Sequence, residues 1–126
     1  MLVFYYELDV YKLSRQLAKD VYVISKKFSI EKRYSLTDQI RRSSRSVGAQ
    51  LAESWGKRRY VNHFISKLSD SDAEQYETQH WIEVALDCEL VSKGERDLVV
   101  NTCEIINPKL NAMMNKADLF CSIVKK

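Results

Sequence analysis

The sequence predicts an all-α protein, and three observations support that fold class. Its 126 residues include only three glycines and one proline, which is too few for the tight turns of a β-rich fold. Apolar residues make up 45% and charged residues 29% of the chain, a composition that suits one globular domain with a proper core. Apolar side chains also recur every three or four positions, as on one face of an α-helix. We therefore expect a single domain over residues 1–126.

The first two predicted helices follow directly from this spacing. Helix 1 begins after Asp9, which occupies the N-cap position, and ends in the polar run 29–33. Its apolar face consists of Val10, Leu13, Leu17, Val21, Ile24 and Phe28. Helix 2 ends at Gly56 and has an apolar face of Leu36, Ile40, Val47 and Leu51. Ser43 and Ser44 interrupt that face, so we expect helix 2 to be narrow in its middle.

Helix 3 is predicted to begin at Val61 and to continue to Lys93 and Gly94, a span of about 45 Å at 1.5 Å per residue. Its middle, residues 69–79, has only Ala73 and Tyr76 as apolar groups, so the core stripe nearly vanishes for three turns.

Helix 4 has apolar residues in alternating steps of four and three, which are Val99, Cys103, Ile106, Leu110, Met113, Ala117, Phe120 and Val124. Pro108 interrupts this helix. Because the apolar phase continues across the proline, we expect a kink there and not an end.

Four amphipathic helices with short polar links most simply form an up-down-up-down antiparallel four-helix bundle with a long helix 3. The 3,4 rhythm of helix 4 would also suit packing against a second chain, and such an interface could be lined by four aromatic residues that we expect to be exposed, Tyr5, Tyr6, Tyr11 and Tyr22. No segment is long and apolar enough for a signal sequence or a membrane span. We interpret the widely separated Cys88, Cys103 and Cys121 as reduced core residues of a cytoplasmic protein.

The charge distribution points to a partner. Residues 1–61 hold 13 Lys and Arg against 6 Asp and Glu, and residues 62–126 hold 7 against 11, so the halves carry +7 and −4 within the total of +3. Within residues 39–60 only Glu53 opposes six cations, which are Arg41, Arg42, Arg45, Lys57, Arg58 and Arg59. Lys and Arg neutralise phosphates and release counterions. We therefore predict that these six residues bind nucleic acid, with structured RNA favoured.

Part of this cluster has a structural alternative. Arg41, Arg42 and Arg45 could instead pair with acids of helix 3 and so fill its polar gap, since a polar interior layer needs countercharges. The candidate acids are Asp72, Glu74 and Glu77. Trp55 and Tyr60 flank the loop 57–59 and could stack on bases, although packing at the end of the bundle is the commoner role of such residues.

Several blocks of the sequence match a known family. They are Gln39-x-Arg41-Arg42, Ser46-Val47, Gln50-Leu51-Ala52-Glu53, Gly56, Phe64, Leu68 and the segment 71–77. With these blocks the chain resembles the S23-type four-helix-bundle proteins, also called intervening-sequence proteins, over about residues 8 to 120. The family usually has Asn-Ile-Ala-Glu-Gly where this chain has residues 50–54, Gln-Leu-Ala-Glu-Ser. The resemblance implies a homopentameric ring, and related accessory proteins of diversity-generating retroelements bind nucleic acid.

Catalytic and metal motifs are weak. Glu77-x-x-His80 matches half of a di-iron motif, but the only other histidine, His63, has Tyr60 three positions before it, so the second pair cannot be built. Arg58 and His63 match the Arg-x4-6-His signature of HEPN-type ribonucleases, in which His63 would act as acid or base. Glycine occurs only at positions 48, 56 and 94, which excludes a P-loop or a dinucleotide fingerprint.

The sequence therefore predicts a non-enzymatic homo-oligomer that binds nucleic acid and needs no cofactor or metal. One alternative is a protein-interaction scaffold whose cations serve internal ion pairs and whose grooves hold a partner polypeptide. A weaker alternative is a metal-independent ribonuclease of the HEPN type.

Overall fold

The computed structural model describes residues 4–29 and 33–122, and this part of the chain contains five α-helices and no β-strand. The helices are α1 (Asp9–Ser25), α2 (Asp38–Gly56), α3 (Val61–Asp87), α4 (Lys93–Asn115) and α5 (Ala117–Ser122). A 3-10 turn at Tyr5–Glu7 precedes α1, and a π-helical turn at Arg33–Thr37 leads into α2. The prediction of an all-α fold is confirmed.

The four long helices contact one another in a closed cycle. α2 packs against α1 and α3, α4 packs against α3 and α1, and the short α5 packs back on α3. The predicted apolar stripes meet between them, and most of their residues are fully buried. The largest of these buried side chains are Phe64, Leu17, Ile40, Leu51, Leu68, Ile82, Ile106 and Leu110. The chain thus has one continuous apolar core to which all four helices contribute.

Three predicted helix boundaries need correction. α1 ends at Ser25, before Phe28 and the polar run 29–33 at which helix 1 was expected to end. The N-cap of α1 is Leu8, and Asp9 is the first helical residue, where its carboxylate still lies at the positive end of the helix dipole. α3 ends at Asp87, and Lys93 instead begins α4. The turn between them includes Glu89 with a φ of 59°, in the left-handed region that a helix cannot continue through. The polar segment 30–32 lies outside the described residues.

α4 runs through Pro108 to Asn115. This agrees with the prediction that the proline does not end the helix. Pro108 and Glu104 are both exposed, so the carbonyl group that loses its helical donor remains open to solvent. The interruption comes at Lys116, whose backbone N–H bonds to the carbonyl groups of Ala112 and Met113. The predicted stripe residue Val124 lies outside the described residues.

The polar middle of α3 is buried and hydrogen-bonded. Ser71, Gln75 and Thr78 are each 0% exposed. Ser71 Oγ donates to the backbone oxygen of Val47 at 2.6 Å, and the hydroxyl groups of Thr78 and Ser43 are 2.9 Å apart. The gap in the apolar stripe is therefore filled mainly by hydroxyl contacts between α3 and the narrow middle of α2.

Candidate nucleic-acid interface

The six predicted cations fall into two groups at opposite ends of α2. Arg41, Arg42 and Arg45 lie in its first two turns, and the segment 57–59 forms the turn after its last residue, Gly56. At 1.5 Å per residue, Arg42 and Lys57 are about 22 Å apart along the helix axis. The cations therefore do not form one patch.

Arg42 is held by two carboxylates of α3. Its guanidinium donates to Glu74 at 3.1 Å and also to Glu77. Glu77 accepts a further hydrogen bond from Trp81 Nε1 at 2.9 Å. The bond from Trp81, followed by the contact with Arg42, lowers the pKa of Glu77 below its ordinary value, and the carboxylates raise the pKa of Arg42. The ion-pair interpretation is confirmed for Arg42.

Arg41 points to α1 and not to α3, so the acid partner suggested for it is wrong. Its Nε donates to Ser25 Oγ at 2.7 Å, and its guanidinium carbon lies 4.8 Å from the ring centre of Tyr22. Lys26 approaches the same ring, with Nζ 4.9 Å from its centre. Among the described residues, no carboxylate pairs with Arg41. Within the part of the chain that the structure describes, its positive charge is thus held in position without a carboxylate partner.

Arg45 is exposed, and within residues 4–29 and 33–122 it has no carboxylate partner. It lines a shallow groove of about 440 Å³ between α1 and α2. The remaining lining residues come from α1 and are Lys12, Arg15, Gln16, Ala18, Lys19 and Tyr22. The suggested pairing with helix 3 is therefore wrong for Arg45 as well, because this position of α2 faces α1.

The turn after α2 presents two of its three cations to solvent. Lys57 and Arg59 are exposed. Arg58 folds back, with Nε donating to the backbone oxygen of Trp55 at 2.9 Å and its guanidinium 4.0 Å from the Trp55 ring centre. Burial lowers the pKa of Arg58, although an arginine remains charged in any such site.

The two aromatic residues beside this turn, Trp55 and Tyr60, differ in their exposure to solvent. Trp55 is 8% exposed and packs with its ring centre 5.9 Å from that of Phe120, so the packing interpretation holds for Trp55. Tyr60 is 58% exposed, and its ring lies 5.2 Å from that of His63. Of these two residues, only Tyr60 presents a ring face that a base could reach.

The residues of the candidate catalytic and metal motifs already have other neighbours. Arg58 contacts Trp55, whereas His63 packs beside Tyr60. Glu77 accepts from Arg42 and Trp81, and His80 packs on the Trp81 ring with centres 4.8 Å apart. In the described part of the chain, no three His, Cys, Asp or Glu side chains come together as a metal site would require.

The sequence interpretation missed the cations of α1. Lys12, Arg15 and Lys19 are exposed and stand at positions i, i+3 and i+7, which is one face of a helix. This spacing could have been read from the sequence. What the sequence did not reveal is that Arg45, from the next helix, lies across from this face.

The fold and this surface define a small helical-bundle protein with a basic face over α1 and α2. None of the described helices is long and apolar enough to cross a membrane. Residues 6–112 match the family model of the 23S rRNA-intervening sequence protein, and the chain belongs to that family. The resemblance seen in the sequence is thereby confirmed.

A solved structure is similar to this fold. It is the crystal structure of a protein with unknown function from the S23 ribosomal protein family of Bacteroides thetaiotaomicron VPI-5482. The two share 25% sequence identity with a TM-score of 0.73, and the match covers 83% of this chain and 97% of that chain. No curated protein matches the chain significantly.

Proposed function

We propose that this protein is a non-enzymatic nucleic-acid-binding bundle that contacts the phosphates of structured RNA through α2 and the turn that follows it. The observation that carries this proposal is the lack of carboxylate partners, among the described residues, for Arg41, Arg45, Lys57 and Arg59. Arg42 is left out of the binding set because Glu74 and Glu77 already hold it. Arg58 serves the packing of Trp55.

The proposed assembly is a homopentamer of up-down-up-down bundles. Contacts that run in opposite order along neighbouring helices support this topology: Arg41 meets Tyr22 whereas Gly48 meets Ser14. Asp72 of α3 likewise contacts Asn107 of α4 at 2.9 Å, whereas Glu83, further along α3, meets Arg96, earlier on α4. In a ring, each basic surface would be repeated five times, and weak phosphate contacts would combine through multivalency.

Fluorescence anisotropy with a labelled RNA hairpin at two salt concentrations tests the proposal. Lys57→Glu/Arg59→Glu reverses two exposed charges while it leaves Arg58 on Trp55. Lys93→Glu/Lys116→Glu makes the same charge change at exposed positions on α4 and after it. We expect steeply salt-dependent binding by the parent protein and a marked loss of affinity in the first variant only. Equal affinities for both variants would exclude the turn as a binding site.

A protein-interaction scaffold remains the second candidate function, and one observation favours it. An open groove of about 820 Å³ lies between the start of α2 and the end of α3. Its wall is largely apolar because it includes Leu36, Trp81 and Val84. A polypeptide partner held there would stay bound after nuclease treatment and would be released by Val84→Asp. Binding that is lost with nuclease would instead favour the nucleic-acid proposal.

The ribonuclease alternative has its own test. Under the proposed function, the protein binds RNA without cleaving it, and His63→Ala leaves the integrity of the bound RNA unchanged. Cleavage by the parent protein that disappears in His63→Ala would establish the enzymatic alternative.

A further inference from the structure

A row of cations lies along α1, and their regular spacing is typical of a binding surface. Lys12, Arg15, Lys19 and Lys26 are all exposed, and Tyr22 stands in the same row. Successive members are three or four positions apart, so they lie on one side of the helix. From Lys12 to Lys26 the row extends about 21 Å.

The crossing of α1 and α2 places Arg45 beside this row. The helices approach closely at Gly48, where an added Cβ would lie 2.8 Å from Ser14 Oγ and 3.7 Å from the Tyr11 ring. Arg45 lies one turn before Gly48 on α2. It stands opposite Arg15 and Lys19 across the groove. Arg41 lies one turn earlier again, over Tyr22. The two helices therefore form the two sides of one basic groove, which we call the α1–α2 groove.

Aromatic rings hold cations of this groove in place. Arg15 Nη1 lies 3.2 Å from the Tyr11 hydroxyl, and Tyr22 carries both Arg41 and Lys26 on its ring. A ring orients a cation without cancelling its charge. The one acidic residue between Lys12 and Lys26 is Asp20, which accepts a hydrogen bond from Gln16 at 2.8 Å.

Some of the cations outside the groove contrast with this arrangement, although Lys57 and Arg59 do not. Carboxylates pair with Lys27, Arg42, Lys67 and Arg96. Asp38, at the start of α2, lines a neighbouring depression with Arg41 and Arg45, but among the described residues it forms no ion pair. The α1–α2 groove therefore holds several cations that pair with no carboxylate of the described residues, although three acids lie near it, which are Asp20, Asp38 and Asp9 beside Lys12.

We infer that the α1–α2 groove binds the sugar-phosphate backbone of an RNA strand, so that the nucleic-acid site extends from α2 onto α1. The inference rests on the proposed function and adds Lys12, Arg15 and Lys19 to its site. Charge complementarity favours a polyanion with regularly repeated charges over the length of the row. Among the residues that the structure describes, the groove lining includes no large aliphatic side chain, and a helical peptide would need such anchors. A phosphate backbone therefore fits the groove better than a polypeptide does.

The test compares two neutralising variants of the full chain. Arg15→Gln/Lys19→Gln removes two charges from the groove, and Lys93→Gln/Lys116→Gln removes two exposed charges elsewhere. With a labelled RNA hairpin at low salt, we expect the groove variant to bind about tenfold more weakly than the parent. Its plot of log affinity against log salt should be shallower by about 1.5, because two phosphate contacts are lost. The control variant should stay within about twofold of the parent. Arg15→Lys/Lys19→Arg keeps both charges and should retain the parent's affinity.

Other results would overturn the inference in distinguishable ways. If Lys57→Glu/Arg59→Glu weakens RNA binding while Arg15→Gln/Lys19→Gln matches its control, the proposed function stands and the groove has no part in it. If the parent protein does not bind the hairpin even at low salt, the proposed function and this inference both fail. If the groove variant loses affinity for polyglutamate but not for RNA, the groove accommodates an acidic polypeptide. Circular dichroism of each variant verifies that its helices are intact.

Discussion

Ser71 Oγ lies 2.6 Å from the backbone oxygen of Val47, and this hydrogen bond crosses the fully buried interface between α3 and α2. Two turns further along α3 and one turn earlier on α2, the hydroxyl groups of Thr78 and Ser43 form a second link at 2.9 Å. A polar layer in the core is tolerated only when its groups find partners. These short side chains meet that condition and also let the two helices approach closely.

Removing the Ser71 hydroxyl should destabilise the fold. Ser71→Ala deletes the donor to the Val47 oxygen, and we expect a loss of about 1 kcal/mol in the free energy of unfolding. Urea denaturation followed by circular dichroism, at one fixed protein concentration, measures it. Ser69→Ala is the matched control because Ser69 is exposed on the same helix. Indistinguishable urea midpoints for the two variants would contradict a stabilising role for this hydrogen bond.

The helices and most of the core followed from the sequence because apolar periodicity is a local property. The stripe of α1 is buried except for the half-buried Leu13, and the polar gap in α3 falls where the sequence places it. In the capping box at the start of α4, Ser92 and Glu95 form reciprocal hydrogen bonds. This box could also have been predicted from the sequence, where it has the pattern Ser-x-x-Glu. Recognising it would have corrected the predicted end of helix 3.

The partners of the arginines could not be predicted in this way. Arg41, Arg42 and Arg45 lie within about one turn of one another, yet Arg42 faces α3 while the other two face α1. Which neighbour each one meets depends on how α2 is rotated within the bundle, and close packing around Gly48 and Ser43 determines that rotation. The groove with α1 is a tertiary feature, so helical periodicity alone did not reveal it.

Arg42 and Arg45 should respond differently to substitution. Arg45→Ala removes an exposed charge that has no carboxylate partner among the described residues, and it is expected to weaken RNA binding and to reduce its salt dependence. Arg42→Ala is expected to leave RNA affinity close to that of the parent, because Glu74 and Glu77 already neutralise its charge. Its effect on stability should be under about 1 kcal/mol, since the ion pair is partly exposed. Fluorescence anisotropy measures the RNA affinity of both variants, and urea titration measures their stability. A larger loss of RNA affinity in Arg42→Ala than in Arg45→Ala would contradict the assignment of RNA binding to Arg45.

Glu95 should make stability depend on acid pH. Its hydrogen bond with Lys27, followed by the bond from the backbone N–H of Ser92, holds the pKa of Glu95 below its ordinary value of 4.5. A carboxyl group with a depressed pKa in the folded state contributes stability that is present above the unfolded pKa and is lost as the pH falls through the folded pKa. Between pH 7 and pH 3, the urea midpoint of Glu95→Gln should therefore fall less than that of the parent. Asp118→Gln, an exposed acid on α5, serves as the control, and parallel pH profiles for the parent and Glu95→Gln would refute the prediction.

The three cysteines should differ sharply in reactivity, which also corrects the expectation that all of them are core residues. Cys88 is exposed, whereas Cys103 and Cys121 are buried. Burial raises the pKa of the Cys103 thiol to about 12, so its reactive thiolate form is scarce at neutral pH and the side chain is also inaccessible. With an aromatic disulfide reagent at pH 8, we expect one thiol per chain to react quickly in the folded protein and all three to react in urea. Cys88→Ser should abolish the fast phase, and a fast phase that persists in this variant would show that a buried cysteine is reached without unfolding.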